Sequence, residues 1–551
     1  MPARHPLEGV RYRSDTEAAA FLRCGAWLNL TLRDAIRAAG ALRGERAFLH
    51  EGERTLSYAA YDADTERLAA ALLAQGLRPG DRVLFQMGTC LETAVALGAC
   101  FKAGVIPVCT LAQHREIEIG QLGAITAPRG YFVQADFSAT FDLVAFARRM
   151  AGEVGSVHLL VTARGGPADL PALENMARSI DLAAARAAVD AVPLDPADVA
   201  VFQLSGGSTG VPKVIPRMHG EYLAQARDWN DRLQLRAEDT ALWCLPLIHN
   251  AGTVACFLPA LWAGRAMVLQ GAFNEEAFLA AIERYRVAYT GSIGPIAGRL
   301  LDSPAAAQAD LSSMRQVWAF NRADDLERRL RLPAQCIFGI TEGILMSSSP
   351  DASPERRFHT VGNPVGRRDE ILVRAADGAG EVPDGETGEL CFRGASVLSA
   401  YYRMDPTPDT FTADGYFRTG DLVRARWLDG ERVFVFEGRM KDNISRGGEK
   451  YGAEEVEALI VKHPALLDAR VVAMPDKLYG ERGCAYVVVR PGAAVPSVAE
   501  LGSFLGGLGL AKYKFPERIE PIAAFPLTRV GKVDKAALRA AITQRLHEEG
   551  R

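Results

Sequence analysis

The sequence predicts an α/β protein: a large N-terminal domain of parallel-type sheets with helices, a strand-rich subdomain, and a small α+β C-terminal domain. Three observations carry this. Strand-like and helix-like runs alternate at crossover spacing through residues 46–110 and again through 199–292, the pattern of a mostly parallel sheet. From about Glu370 the runs shorten and turns multiply, as in "EILVRAADGAGEVPDGETGELCFRG". And 551 residues exceed what one hydrophobic core supports.

Along the chain, "RAFLHEGERTLSY" reads as two short strands around a Glu51-Gly52 turn. Residues 58–75 read as a helix capped by Ser57 and stopped at Gly76. "RVLFQ" is a strand, 91–102 a helix and "VIPV" a strand. The apolar stretch 91–109 is broken by Glu92, Lys102, Gly104 and Pro107, so it predicts a buried helix and strand, not a membrane span. The alanine-rich run 182–192 predicts a plain surface helix. "DVAVFQL" is a strand, 221–233 a helix, and "TALWCLPL", "FLPALWAG", "AMVLQ" and "VAYTGS" continue the alternation. A charged, glycine-bearing loop in "FVFEGRMKDNISRGGEKYGAEEVEALI" marks a boundary. The expected domains are therefore residues 1–437 and 438–551.

Composition narrows the class. Apolar residues are 48% and charged residues 24%, ordinary for a soluble enzyme. A net charge of −4 gives no pull toward nucleic acid or anionic membrane. Nine dispersed cysteines without a Cys-x-x-Cys pair read as reduced, mostly buried thiols. The opening "MPARHPLEGVRYRSD" lacks the apolar run of a secretory signal, and the expected location is cytoplasmic.

The chemistry starts at "SGGSTGVPK", residues 205–213. The loop follows a strand, so backbone N–H groups of Gly206, Gly207 and Gly210 can converge on an anion. Ser205, Ser208 and Thr209 add hydroxyls and Lys213 adds charge. Its glycine offsets, Pro212, and the absence of a hydroxyl residue after Lys213 do not fit the usual nucleotide-binding loop.

Downstream lie "FGITEG" (338–343), "YFRTGD" (416–421), "GRMKDNISRGGEK" (438–450) and "PLTRVGKVDK" (526–535). In this order, with the opening loop, they resemble the core motifs of the adenylate-forming superfamily: acyl-CoA synthetases, peptide-synthetase adenylation domains and luciferases. Within it the chain looks most like stand-alone aryl-acid–AMP ligases of siderophore and nonribosomal peptide assembly. The resemblance implies an ATP- and Mg²⁺-dependent enzyme that joins an acid to AMP, releases pyrophosphate, and passes the acyl group to a pantetheine thiol of a carrier protein or of CoA. It implies that the 205–213 loop grips the β/γ-phosphates, that Phe338 and Gly339 lie against the adenine, and that Thr341 bonds the α-phosphate. Glu342 would hold the metal. Asp421 and Arg439 would reach the ribose, and Lys532 would bridge carboxylate and α-phosphate. The resemblance implies a mobile C-terminal domain with Lys441 as the hinge, and Gly447 and Gly448 lining the thiol tunnel.

For the acid, the resemblance implies contacts from His249, Asn250, Ala251, Asn321 and Leu345, with Asn250 meeting an ortho substituent. "HNAGTVACF" lacks the aromatic that follows this pair in dihydroxybenzoate enzymes. It offers Val254 or Ala255 where those enzymes place a serine. A buried 3-hydroxyl would lose its partner there, at about 1–3 kcal/mol. "VWAFNRADDL" puts Ala319, Phe320 and Asn321 where small residues are usual. The expected acid is salicylate, anthranilate, or a bicyclic or heteroaromatic acid. An aryl-CoA ligase is the alternative, differing only in the thiol.

Overall fold

The computed structural model describes residues 3–178, 180–205, 212–292, 294–320, 322–375, 380–439, 443–526 and 533–550. Local chemistry sets its elements as the sequence leads one to expect. The Ser57 hydroxyl accepts from the Ala60 N–H to cap the helix Tyr58–Ala74. The chain then leaves the helix through Gly76 at φ +93°. The helix Leu91–Ala103 is buried on every side, which is why its sequence is apolar all round.

That helix serves a six-stranded sheet in the order Leu159–Ala163, Gly130–Gln134, Arg82–Gln86, Ile106–Val108, Val199–Ser205, Lys213–Met218. All its pairs are parallel except the last. A nine-stranded sheet holds a parallel centre of Ala47–Glu51, Met267–Leu269, Thr240–Trp243, Val287–Ser292, Gln316–Ala319 and Ala334–Gly339. Antiparallel strands close both of its edges. The alanine-rich helix Leu182–Asp190 departs from expectation: Ala185 and Val189 are fully buried in the main core, so one face packs inward.

The strand-rich part is a four-stranded antiparallel sheet of Glu370–Arg374, Thr387–Arg393, Phe417–Leu428 and Glu431–Arg439. The C-terminal lobe forms its own sheet around the long pair Leu466–Asp476 and Gly480–Val489. Strand alternation gives it two faces. Val471, Ala485 and Val487 pack under the helices Ala453–Ile460 and Val498–Gly507, whereas Val472, Cys484 and Tyr486 pack under Lys535–Glu548. Ile117, from the N-terminal part, leans on the first of these cores.

All nine cysteines are free and eight are buried. Among the described residues no helix is long and apolar enough to cross a membrane.

Candidate active site

Loops at the carboxyl ends of the parallel strands, together with the C-terminal lobe, enclose a cavity of about 390 Å³, the position where open α/β sheets bind ligands. One end is polar. Ser205, Lys213, Gly339, Thr341, Glu342 and Asp421 line it, bringing together residues from strands more than 200 positions apart. The Glu342 carboxylate accepts from the Tyr401 hydroxyl at 2.8 Å, and the Lys213 ammonium stands 4.5 Å above the Tyr401 ring. Burial, then the Glu342 charge, holds the Tyr401 phenol well above its usual pKa, so Tyr401 stays a neutral donor.

The turn carrying Thr341 and Glu342 is braced from behind. Arg217 donates to the Thr341 carbonyl at 3.1 Å, the Gln225 amide donates to the Gly343 carbonyl, and the Leu398 N–H donates to the Glu342 carbonyl at 3.0 Å. Arg217 is itself fully buried and paired with Glu221. Gly343 has φ +138°, and a Cβ there would lie 1.9 Å from the Ser396 carbonyl oxygen, so only glycine fits this turn. Asp421 is buried on the strand Phe417–Leu428, its N–H donating to Thr419 Oγ1 at 3.0 Å. Its register partner on the next strand is Arg439.

Phe338 is placed away from the cavity. Along Ala334–Gly339 the side chains alternate, so Ile337 and Gly339 face the cavity. Phe338 points the other way, into the core with Ile344 and Met346 and 5.8 Å from the Phe436 ring. Ile337, Gly339 and Ile340 line the cavity, whereas Phe338 does not.

The other end is aromatic. Trp229, Trp243 and Trp318 wall it, with Trp318 5.8 Å from Trp243 and 6.4 Å from Trp229. Trp318 packs directly on Gly291, where a Cβ would be 2.1 Å from its ring. Phe320 continues the wall. Ala319, between them, faces the opposite core, so Trp318 and Phe320, not Ala319, remodel the site. His249, Asn250, Ala251 and Leu345 also line the cavity. The His249 Nδ1 accepts from the Ala251 N–H at 3.2 Å and caps the turn Asn250–Gly252. Burial, then Lys450, lowers its pKa to about 4, which leaves the neutral ring with its proton on Nε2. A π-helical stretch, Thr253–Phe257, follows. It turns Ala255 to the cavity and Val254 into the core, deciding between the two residues the sequence offered.

The C-terminal lobe supplies the third wall. Gly447 and Gly448, at φ +60° and +97°, line the same cavity with Glu449 and Lys450. A second cavity, about 280 Å³, shares Leu245, Pro246, Gly447 and Glu449 with it and runs out past Phe273 and Arg299. The lobe is fastened by Lys514, whose ammonium lies 2.9 Å from both Glu118 of the N-terminal part and Glu455 of the lobe. Val533 packs on the opposite face of the lobe's sheet, in the core with Val472 and Leu538.

Gly206, Gly207, Ser208, Thr209, Gly210, Asn321, Lys441 and Lys532 lie outside the described residues, as does the side chain of Arg439. Sequence reasoning missed Tyr401, Tyr222, the three tryptophans and Lys514. Only Tyr222 and Trp229, seven apart on one helix, carried a signal. Among the described residues no three acidic, His or Cys side chains gather into a metal cluster. Glu342, at the polar end of the cavity, would fit a Mg²⁺ ion, which takes one or two carboxylates and draws its remaining ligands from phosphates and water.

The AMP-binding enzyme family profile matches residues 36–402, and that of the AMP-binding enzyme C-terminal domain matches 455–532. The chain is 34% identical over 548 residues to 2,3-dihydroxybenzoate-AMP ligase of Bacillus subtilis, covering 98% of this chain and 99% of that one. It is 35% identical over 536 residues to the salicyl-AMP ligase / salicyl-S-ArCP synthetase of Mycobacterium tuberculosis, covering 95% and 92%. Among solved structures it resembles apo MbtA of Mycobacterium smegmatis, with TM-score 0.71, 30% identity, and 97% and 98% of the two chains covered.

Proposed function

The chain belongs to the AMP-binding enzyme family and is an adenylate-forming ligase; we propose that it activates an ortho-substituted aromatic acid and delivers it to the pantetheine thiol of a carrier protein. The observation that carries this is a single cavity with Asn250 and a tryptophan wall at one end and Thr341, Glu342 and Asp421 at the other. A flat apolar ring can pack against such an indole wall. Its carboxylate would then face the polar end, where an α-phosphate has donors. The salicyl- and dihydroxybenzoate-AMP ligases it resembles take acids of this class, by their names. Ala255 offers no hydrogen bond to a 3-hydroxyl, so salicylate and related acids suit the site better than 2,3-dihydroxybenzoate.

The residues divide the work as follows. Ser205 and Lys213, with the loop between them, would bind the departing pyrophosphate. Thr341 would donate to the α-phosphate, and Asp421 would accept from both ribose hydroxyls. Glu342, oriented by Tyr401, would hold Mg²⁺ against the phosphates; the ion supplies charge neutralisation there. Lys532 would bring carboxylate and α-phosphate together, which lowers the barrier between two anions.

The chain would act as a core, residues 1–437, and a lid, 438–551, pivoting near Lys441. With Gly447 and Gly448 in the cavity and Val533 on the lobe's far face, the described arrangement suits thioester formation. The second cavity would admit the thiol past Gly447.

ATP–pyrophosphate exchange over a panel of acids tests the reading. Exchange should require acid and respond to salicylate and related ortho-substituted acids. Exchange without acid, or only with aliphatic acids, overturns it. Thioester formation with a holo-carrier protein against free CoA decides the acceptor.

A further inference from the structure

We propose that the N-terminal arm, residues 3–30, forms part of the nucleotide end of the site: Arg13 and Trp27 are positioning residues that hold the loop 394–398 and, through it, Glu342 and Tyr401. The inference rests on the reading above that the polar end of the cavity takes ATP. The family profile begins at residue 36, so the arm lies ahead of the segment that the profile describes.

The loop 394–398 lies outside any helix or strand, yet Ala395, Ser396, Val397 and Leu398 are buried. Buried backbone carbonyls need donors, and from 394 to 397 side chains supply them. One guanidinium nitrogen of Arg13 donates to the Gly394 carbonyl at 3.1 Å and to the Val397 carbonyl at 2.9 Å. The Trp27 indole N–H donates to the Ala395 carbonyl at 2.8 Å. Arg217 donates to the Ser396 carbonyl at 3.1 Å. Two of these three donor residues belong to the arm. The arm also holds the loop's far flank, where the Arg403 N–H donates to the Gly9 carbonyl at 2.8 Å. Arg13 is set in turn by the helix it precedes, Asp15–Arg23. A capping box joins Ser14 to Glu17, and the Glu17 carboxylate lies 3.6 Å from the Arg13 guanidinium.

The loop's other side meets the site. The Ser396 carbonyl backs the Gly343 turn so closely that no Cβ fits there. The Leu398 N–H donates to the Glu342 carbonyl at 3.0 Å. Three residues on, the Tyr401 hydroxyl donates to the Glu342 carboxylate at 2.8 Å, and the Lys213 ammonium stands 4.5 Å from its ring. The arm therefore grips the chain on both sides of Tyr401. Removing one of its donors leaves a buried carbonyl unpaired, which the loop can relieve only by shifting. Glu342 and Tyr401 then shift with it. The tryptophan wall is built from other elements, so the aromatic end should be spared.

The test is calorimetric titration of the full chain with Mg²⁺ and the α,β-methylene analogue of ATP, which needs no acid, followed by ATP–pyrophosphate exchange with salicylate. Arg13→Gln and Trp27→Phe should each weaken analogue binding and raise the KM for ATP by about three- to thirtyfold. The KM for salicylate should stay within about twofold. Trp27→Phe keeps an aromatic ring in place, so it decides the matter if Arg13→Gln folds poorly. Arg13→Lys keeps a charged donor and should recover part of the loss. His5→Ala removes an arm contact elsewhere, a ring nitrogen 2.7 Å from the Pro193 carbonyl, and should leave ATP affinity within about twofold. Arg13→Gln combined with Tyr401→Phe should cost less than the product of the two separate losses, because both act on Glu342. Unchanged affinity in Arg13→Gln and Trp27→Phe, even with a lower melting temperature, or full multiplication with Tyr401→Phe, overturns this inference alone. Analogue binding that Glu342→Ala and Asp421→Ala leave unchanged overturns the reading of the polar end and this inference with it.

Discussion

Glu118→Gln should uncouple the two half-reactions. Lys514 is 5% exposed and Glu118 1% exposed, and the ammonium lies 2.9 Å from Glu118 and from Glu455. Burial alone would raise the Glu118 carboxyl; Lys514, then His114, outweighs it and holds the pKa below the usual value. Burial opposes the Lys514 charge too, but Glu118 and Glu455 raise its pKa on balance. Glu455 travels with Lys514, so of these two carboxylates it is Glu118 that makes the contact across the lobes. Removing a partner from a buried pair costs about 3–5 kcal/mol, but glutamine keeps an accepting oxygen of the same shape. The loss is then one charge-assisted hydrogen bond, about 1.5–3 kcal/mol. At about 1.4 kcal/mol per tenfold, the docked lobe loses population by roughly ten- to a hundredfold. Rapid-quench measurement should show thioester formation from preformed adenylate slowed by that factor, with pyrophosphate exchange undiminished. Equal loss of both half-reactions, or loss of exchange alone, would refute the latch.

Two further outcomes follow from the same cavity. Desolvation between the lobes raises the Glu449 carboxyl from 4.5 to about 7 despite Lys514, so docking takes up a proton. This favours the docked lobe below pH about 4.5, and the advantage is lost as pH rises through about 7. Glu449→Gln should flatten that dependence in single-turnover thioester rates. Gly343→Ala should abolish exchange and lower the melting temperature, because a Cβ would lie 1.9 Å from the Ser396 carbonyl at φ +138°. Gly385→Ala, at φ +94° with open space around it, should cost only the backbone strain of about 1–2 kcal/mol.

How much of this was legible in the sequence depended on what each residue answers to. Thr341, Glu342 and Asp421 sit in motifs with fixed residue types at fixed offsets, so they could be named before any fold, and the fold brings them to one cavity. The strand and helix order was legible for a similar reason: Ser57 and Gly76 are local signals. The acid end answers to packing. Trp229, Trp243 and Trp318 come from a helix and two strands, and only the sheet order brings them together. The side on which Phe338 lies was not legible, because a motif fixes residue order while the pleat fixes which side each residue faces. Lys514 and Glu118, nearly 400 residues apart, carried no local signal at all.

The alternation of the C-terminal sheet has a consequence for timing. The glycine turn at Gly447 and the side chain of Val533 occupy different sides of one small slab of protein. If Lys532 serves adenylation, the slab can present one tool or the other, never both. The enzyme then cannot offer its thiol channel while the acid–AMP bond is being made, nor its lysine while that bond is being spent. On the proposed reading, order of events would be written into the two sides of a strand pair, and turnover would be shared between two poses. Stabilising either pose must lengthen the wait for the other, so the fastest enzyme is one that holds neither too well.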